Sequence, residues 1–484
     1  MTTASADNLS TLLLSHPFGD DELLLHGVDE SITAGEAKRR ALALGSDLVQ
    51  RGLAPGGAVA MQLPNGPDVL ITMFAVWLAG GVVVTINPRA PRAELDDMLA
   101  ATEPVMLIDG DGVHAFESAR RYDAGVAFVV WTSGTTGRPK PILHTHEGYL
   151  ELLDRVLTPL RGSTPKTADP SRKISPNLIP VSLALNAGIY NALFGLRAGA
   201  PLVIMDRFEP GEFADLVSRF EIRSTVLPPA AIAMLSDEDA VADLAPLRYV
   251  RSITASLSPL QAKRFSEKFG VVVLNGYGQA EIGEVIGWTA TDAREHPENV
   301  GAVGRPHPGV RIKIVDGAGR PVAAGDVGVL RVRTASMATS YASGEELDDR
   351  LDSDGFVDTG DYARQADDGF VWIEGRASDL INRGGNKIFP EQVEDVLGLL
   401  PGVSEAAVVG VPDERLGQVP VAFLAGSGAP DETLEGICRQ HLTPYKVPVA
   451  YHWVDHLPRS EIGKVLRRDL VEQHERTHRS EGDP

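Results

Sequence analysis

The stretch TSGTTGRPK, Thr132 to Lys140, gathers glycines, hydroxyls and one lysine directly after the apolar run Val126-Ala-Phe-Val-Val-Trp131. A strand that ends in such a loop suits an oligophosphate. Glycines let backbone N–H groups approach an anion, hydroxyls add donors, and the lysine adds charge. The stretch is not a P-loop, whose glycines stand further apart and lead into Gly-Lys-Ser/Thr. Here two residues separate Gly134 from Gly137, and Lys140 stands between Pro139 and Pro141. On Gly, Ser and Thr content alone, a solvated polar turn explains the stretch as well as a phosphate cradle does.

Strands and helices must place any such loop. From Ala34 to Leu150 the two alternate: GEAKRRALALGSDLVQRGL has the period of an amphipathic helix closed by glycine, and GGAVAMQLP reads as the strand after it. VLITMFAVWLAGGVVVTINP repeats the pattern, helix first and then strand. Such alternation predicts a largely parallel sheet covered by helices. The polar segment from Asp154 to Lys173 is expected to be an exposed loop, and residues 177–290 return to the α/β pattern. After Pro308 the period shortens to two in Arg311–Val315 and Val329–Arg333, which flank the turn-rich DGAGRPVAAGD, and Gly369–Glu374 continues it. Past Gly375-Arg376 a compact α+β unit is expected, with a helix from Pro390 and a strand over Ala406–Val411.

A chain of 484 residues exceeds one comfortable core, so several domains are expected. Its 45 basic and 66 acidic residues leave a net charge of −21, which offers no basic field to nucleic acid or to an anionic membrane. Cys438 is the sole cysteine, which excludes an intramolecular disulfide and thiolate metal clusters. No basic leader and no run of about 18 apolar residues is present, so a cytoplasmic protein without a membrane span is expected.

The opening loop, continued to Leu143-His-Thr-His146, resembles the signature of the adenylate-forming superfamily, which includes acyl-CoA synthetases, adenylation domains and firefly-type luciferases. Further stretches resemble the family's motifs in the family's order: Asn275-Gly-Tyr-Gly-Gln-Ala-Glu281, Val300–Pro306 with Pro308-Gly309, Asp358-Thr-Gly-Asp361, Gly375–Asp379 with Asn382–Pro390, and Pro444–Pro448 with Leu457–Lys464. The resemblance spans nearly the whole chain. It implies an α/β fold with a large N-terminal domain, residues 1–375, made of two α/β subdomains and a β-rich subdomain at about 300–375. A small, mobile α+β C-terminal domain, residues 376–484, follows.

The implied reaction has two halves: a carboxylate attacks the α-phosphorus of ATP to give an acyl-adenylate and pyrophosphate, and a thiol then takes the acyl group. By the same resemblance, Thr132, Ser133, Gly134, Thr135, Thr136, Gly137 and Lys140 hold the β- and γ-phosphates. Asn275, Gly276, Tyr277 and Gly278 line the nucleotide site, with Tyr277 stacked on adenine and Ser256 in the adenine pocket. Glu281 coordinates Mg²⁺ as a hard oxygen ligand, Asp361 accepts the ribose hydroxyls, and Arg376 contacts ribose or phosphate. Lys464 is the implied catalytic cation. Ser378 is the implied hinge between the two half-reactions, and Gly384 and Gly385 border a tunnel for the pantetheine of CoA or of a carrier protein.

The chain departs from the pattern at four places. Ala280 replaces a threonine whose hydroxyl would bond the α-phosphate, a loss of about 1.5–3 kcal/mol. Pro141 stands where glycine is common after the lysine, no histidine gates the pocket near Leu183, and Ile253 is larger than usual. No aspartate lies in residues 182–188 to pair an α-ammonium, and an unpaired buried ammonium is costly. Leu183, Leu185, Ile189 and Ile253, with Asn186 as a polar handle, therefore predict an apolar aliphatic or aryl acid without an α-amino group.

Overall fold

The computed structural model describes residues 8–28, 30–132, 140–161, 174–337, 342, 350–459 and 465–481. The sequence patterns resolve into separate sheets. A six-stranded sheet runs Gly112–Ala115, Met106–Asp109, Ala58–Met61, Val82–Thr85, Val126–Thr132, Lys140–Thr145. Its four inner strands are parallel and its two edges antiparallel. A nine-stranded sheet places Asn177–Ile179, Leu202–Ile204, Ser224–Val226, Tyr249–Ser252 and Val272–Gln279 in a parallel centre. The helix Pro67–Leu78 is buried on nearly every side, and Trp77, Phe74 and Phe128 pack against one another at its flank. An element that is apolar all round has this place between layers.

The helix His146–Arg161 overturns the first half of the loop expected over Asp154–Lys173. Tyr149, Leu152, Leu153 and Val156 recur at helical spacing and are all buried, and their burial outweighs the polar residues between them. The β-rich expectation begins slightly late in the structure. Arg305–Pro306 pairs with Gly283–Gly287 at the edge of the large sheet, and the four-stranded antiparallel sheet starts at Arg311–Val315 and ends at Val371–Arg376.

Residues after Arg376 form a five-stranded sheet around the long hairpin Glu405–Asp413 and Gly417–Ala425, covered by the helices Pro390–Leu397, Asp431–His441 and Arg467–Glu481. Arg467 joins two of those helices to the preceding turn: its guanidinium contacts Glu394, lies 3.5 Å from Glu391 and 3.4 Å from Asp379. Among the described residues no helix is long and apolar enough to cross a membrane.

Glu391 is the weak point of that cluster. Its Oε2 has no partner among the described residues, and it lies close enough to Gly375 that a Cβ there would approach it to 2.6 Å. Burial, then the Glu394 charge, push its carboxyl from 4.5 to about 7, against the pull of Arg467. The folded chain therefore holds a proton more tightly than the unfolded chain, so stability must fall as pH rises from about 4.5 through about 7. Denaturant midpoints of the full chain at pH 5 and pH 7.5 should show that decline, and Glu391→Gln should flatten it. An unchanged pH slope in the variant would contradict the assignment.

Candidate active site

The parallel strands of both α/β sheets end at one cleft of about 1250 Å³. Asn87 follows Val82–Thr85, Pro180 follows Asn177–Ile179, Asp206 follows Leu202–Ile204, and Ile253 follows Tyr249–Ser252, and all of them line it. Ligands of open α/β sheets bind outside the carboxyl ends of the strands, where side chains and free backbone groups converge. The described part of the cleft is completed by the rim of the four-stranded sheet and the start of the C-terminal unit, through Asp358, Thr359, Arg376 and Ser378.

The two ends of the stretch Thr132–Lys140 meet beside this cleft. Trp131 and Lys140 line it, and the backbone of Thr132 pairs with Lys140 where the two antiparallel strands meet. Ser133, Gly134, Thr135, Thr136 and Gly137 lie outside the described residues, as does Lys464. Pro141 has a structural explanation: it lies on the edge strand Lys140–Thr145, where a missing N–H leaves no ladder bond broken, and its carbonyl accepts the Ala342 N–H at 2.7 Å.

A hydrogen-bonded network ties the end of the strand Val272–Gln279 to the β-rich sheet. Asp361 Oδ2 accepts from the Tyr277 hydroxyl and, at 2.9 Å, from Gln279 Nε2. Arg376 Nε lies 3.3 Å from Asp361 Oδ1. Burial and then the Asp361 charge hold the Tyr277 hydroxyl in its protonated form, so it is a donor here. On the cleft side Arg350 donates to Glu281 Oε1 at 3.0 Å, to Gln279 Oε1 at 3.1 Å and to the Asp358 carbonyl at 2.9 Å.

The described lining takes in only part of the expected nucleotide site. Gly278, Gln279, Ala280 and Glu281 line the cleft, but Asn275, Gly276 and Tyr277 do not: Tyr277 packs on the β-rich core and spends its hydroxyl on Asp361. Asp361 is 2 % exposed and lies behind the lining formed by Asp358, Thr359 and Gly360. Ser256 is exposed and outside the lining, which at this turn is Ile253 and Thr254. Thr254 has φ +85°, an uncommon conformation for a β-branched residue and a local strain at the cleft floor.

The residues expected to form the acid pocket also divide between lining and core. Leu185, Asn186 and Ile253 line the cleft, whereas Leu183 and Ile189 are fully buried in the core. Asn65 Oδ1 accepts the Leu183 N–H at 2.8 Å and fixes that turn, and the phase of the helix Asn186–Ala198 presents Asn186, Ala187 and Tyr190 to the cleft while Ile189 faces inward. Gly188 cannot be larger, since a Cβ there would stand 2.1 Å from the Ser182 carbonyl. At the rim, the Ser378 hydroxyl donates to Asp379 at 2.9 Å. Gly384 and Gly385 turn the hairpin Ile381–Arg383 to Asn386–Ile388 at φ +58° and +90° and do not line this cleft.

The family model described as AMP-binding enzyme matches residues 16–124 and 117–342, and its C-terminal counterpart matches 392–464. The chain belongs to the adenylate-forming superfamily. The 2-succinylbenzoate–CoA ligase of Geobacillus kaustophilus is 31 % identical over 87 % of this chain and 89 % of its own. The sulfoacetate–CoA ligase of Cupriavidus necator is 28 % identical over 91 % and 92 %. Among solved structures, an amide bond synthetase of Marinactinospora thermotolerans superposes with a TM-score of 0.85 at 25 % identity, over 97 % of this chain and all of its own.

For this superfamily member, Glu281 suits a magnesium ion. It is a carboxylate at the cleft surface, and Mg²⁺ commonly takes one or two carboxylates together with phosphate oxygens and water. Among the described residues no cluster of three or more His, Cys, Asp or Glu could hold a metal by itself.

Among the lining residues that the motif reading missed are Arg350 and Glu284. Arg350 sits in a stretch without motif, and nothing in sequence marks it. Glu284 left a signal: it is a lone charge in the apolar run Ile282-Gly-Glu-Val-Ile-Gly287. It is 7 % exposed and fully engaged. Arg251 and His307 Nε2, the latter at 3.2 Å, hold Oε1, and the Tyr190 hydroxyl donates to Oε2 at 3.1 Å. Burial alone would raise its pKa, but the Arg251 charge, with the bonds from His307 and Tyr190, brings it down to about 2. Removing one partner of a buried pair costs about 3–5 kcal/mol, whereas replacing both by apolar groups is often neutral. Glu284→Ala should therefore destabilise the chain by about that amount in denaturant titrations, and adding Arg251→Met should recover most of the loss. Equal instability of the single and double variants would contradict the pairing.

Proposed function

We propose that this chain uses ATP to activate a carboxylic acid lacking an α-amino group, and then passes the acyl group to the thiol of CoA. The observation that carries the reading is the convergence on one cleft of Lys140 beside the glycine-rich loop, the Glu281–Arg350 pair and Arg376 at the rim. Lysine and arginine side chains from several elements thus share one cavity with a carboxylate suited to a metal ion. The similar CoA ligases support both half-reactions. The absence of any carboxylate in Pro180–Gly188 supports an acid without an α-ammonium.

In the first half-reaction the acid's carboxylate oxygen attacks the α-phosphorus and pyrophosphate leaves. Such a displacement depends on positioning and charge neutralisation rather than on covalent help from the protein. Lys140 and the loop donors from Thr132 to Gly137 would hold the leaving pyrophosphate, and Arg350 keeps Glu281 oriented toward the phosphates. Bound Mg²⁺ would supply positive charge beside the α-phosphate. Asp361 would take the ribose hydroxyls by exchanging them for its contacts with Gln279 or Arg376. Lys464 would stabilise the charge developing between carboxylate and phosphate. In the second half-reaction the thiol attacks the acyl carbon and AMP leaves, with Ser378 as hinge and Gly384 and Gly385 along the path of the pantetheine. ATP and CoA as substrates make the cytoplasm its place of work.

A second reading keeps the first half-reaction and changes the acceptor to the phosphopantetheine of a separate carrier protein or to an amine. The full-length likeness to an amide bond synthetase favours this alternative. Purified protein given ATP, magnesium and a panel of acids, with and without CoA, separates the readings by product mass. An acyl-CoA with AMP and pyrophosphate supports the first. Acyl-adenylate and pyrophosphate without acyl-CoA, followed by AMP release when an amine or a carrier protein is added, support the second, and ADP would overturn both. Lys464→Ala should abolish AMP formation from ATP and acid, yet largely spare thioester formation from supplied acyl-adenylate. Equal loss of both steps would contradict the role given to Lys464.

A further inference from the structure

The described acid end of the cleft is less apolar than its sequence suggests. Asn186 and Tyr190 stand one helical turn apart on the same face of the helix Asn186–Ala198, and both line the cleft together with Glu284. Val181, Phe208 and Ile253 add hydrocarbon to the same lining, which also carries Asp206 and Arg207.

Each polar group has a fixed hydrogen-bonding sense. Burial keeps the Tyr149 hydroxyl protonated, and it donates to Asn186 Oδ1 at 2.8 Å. That bond orients the amide, and Asn186 Nδ2 has no partner among the described residues, so its N–H donors are left for the cleft. The Tyr190 hydroxyl is likewise kept protonated by burial, and by the neighbouring Glu284 charge. It gives its proton to Glu284 Oε2 at 3.1 Å, which leaves its own oxygen as an acceptor. Glu284 is an acceptor on both oxygens.

The charges nearest Asn186 and Tyr190 are paired, while Asp206 and Arg207 line the cleft elsewhere. Arg251 pairs with Glu284, and Arg155, which donates to the Glu284 carbonyl at 3.0 Å, pairs with Glu151 at 3.4 Å. A ligand group that brought a further charge would be buried without a counterion. A bare hydrocarbon would cover the Asn186 amide without a hydrogen-bond partner, and leaving a buried donor unpaired is costly.

We propose that Asn186, Tyr190 and Glu284 form an electrically neutral polar ledge that selects an acid bearing an uncharged hydroxyl on an otherwise hydrocarbon body. A hydroxyl accepts from the Asn186 amide and donates to the Tyr190 oxygen or to Glu284. Neither a methyl group nor a second carboxylate does both. The proposal rests on the adenylation reading above and sharpens the polar handle expected at Asn186 in an otherwise apolar acid site.

The test compares kcat/KM for ATP-dependent AMP release between matched acids. The probes are hydroxyphenylalkanoic and ω-hydroxyalkanoic acids, each against its methyl isostere and its carboxylate analogue. In the native chain the best hydroxylated acid should exceed both partners at least tenfold. Asn186→Leu should reduce that ratio at least tenfold. Should Asn186→Leu fail to fold, Tyr190→Phe, which removes only one oxygen, should reduce it in the same direction. A methyl or carboxylate analogue that matches or exceeds the hydroxylated acid in the native chain overturns the ledge, as does a ratio unmoved by the folded variants. If AMP forms with none of the acids, the adenylation reading itself has failed and the ledge falls with it. AMP formed fastest from a methyl acid leaves adenylation standing and removes only the ledge.

Discussion

Asp361 is the joint on which the site depends. Its buried carboxylate meets Tyr277 and Gln279 from the large parallel sheet and Arg376 at the entry to the C-terminal unit. A carboxylate taken out of water is tolerable only when its lone pairs are satisfied, and the penalty for losing one partner falls on the remainder. Three parts of the chain are thereby held in one register. The same Gln279 reaches through Arg350 to Glu281, so the cleft-facing carboxylate is oriented by the network that closes the β-rich sheet. A ligand that displaced Arg376 from Asp361 would loosen the entry to the C-terminal unit.

The large cleft follows from the topology rather than from any single motif. Parallel strands point their carboxyl ends the same way, so loops distant in sequence are delivered to a common edge. Asn87, Pro180, Asp206 and Ile253 come from four such ends and share one cavity. Loops at that edge can vary without disturbing the sheets, and the departures at Pro141, Ala280 and Leu183 all fall on them or beside them. Pro141 is accommodated because its strand is an edge.

Much of this was legible in the residues. The alternation of helix and strand, the change to a two-residue period after Pro308 and the ordered motifs identify both the sheets and the superfamily. Lys140 was singled out by type and spacing, Glu281 and Arg376 by the resemblance, and all three line one cleft. Side-chain direction was not legible. Leu183 and Ile189 have the composition of a pocket wall, but the turn held by Asn65 buries Leu183, and the phase of the helix from Asn186 buries Ile189 and brings Tyr190 out instead. Arg350 lies 69 residues from Glu281, and Arg251 lies 33 from Glu284. Such pairings depend on which strands become neighbours, and no local pattern records that. The helix through Asp154 shows the converse: its apolar period was present, but the polar residues between obscured it.

The reaction assigned to the cleft leaves a mark that no other use of ATP leaves. When a carboxylate oxygen attacks the α-phosphorus and the acyl group is later removed, that oxygen stays on AMP. The most direct measurement is therefore a turnover with the acid's carboxylate labelled with oxygen-18, followed by mass analysis of the nucleotide and of the released phosphate species. The account predicts that AMP carries one labelled oxygen and that pyrophosphate carries none. Label in inorganic phosphate with ADP as the nucleotide, or AMP free of label, would contradict it.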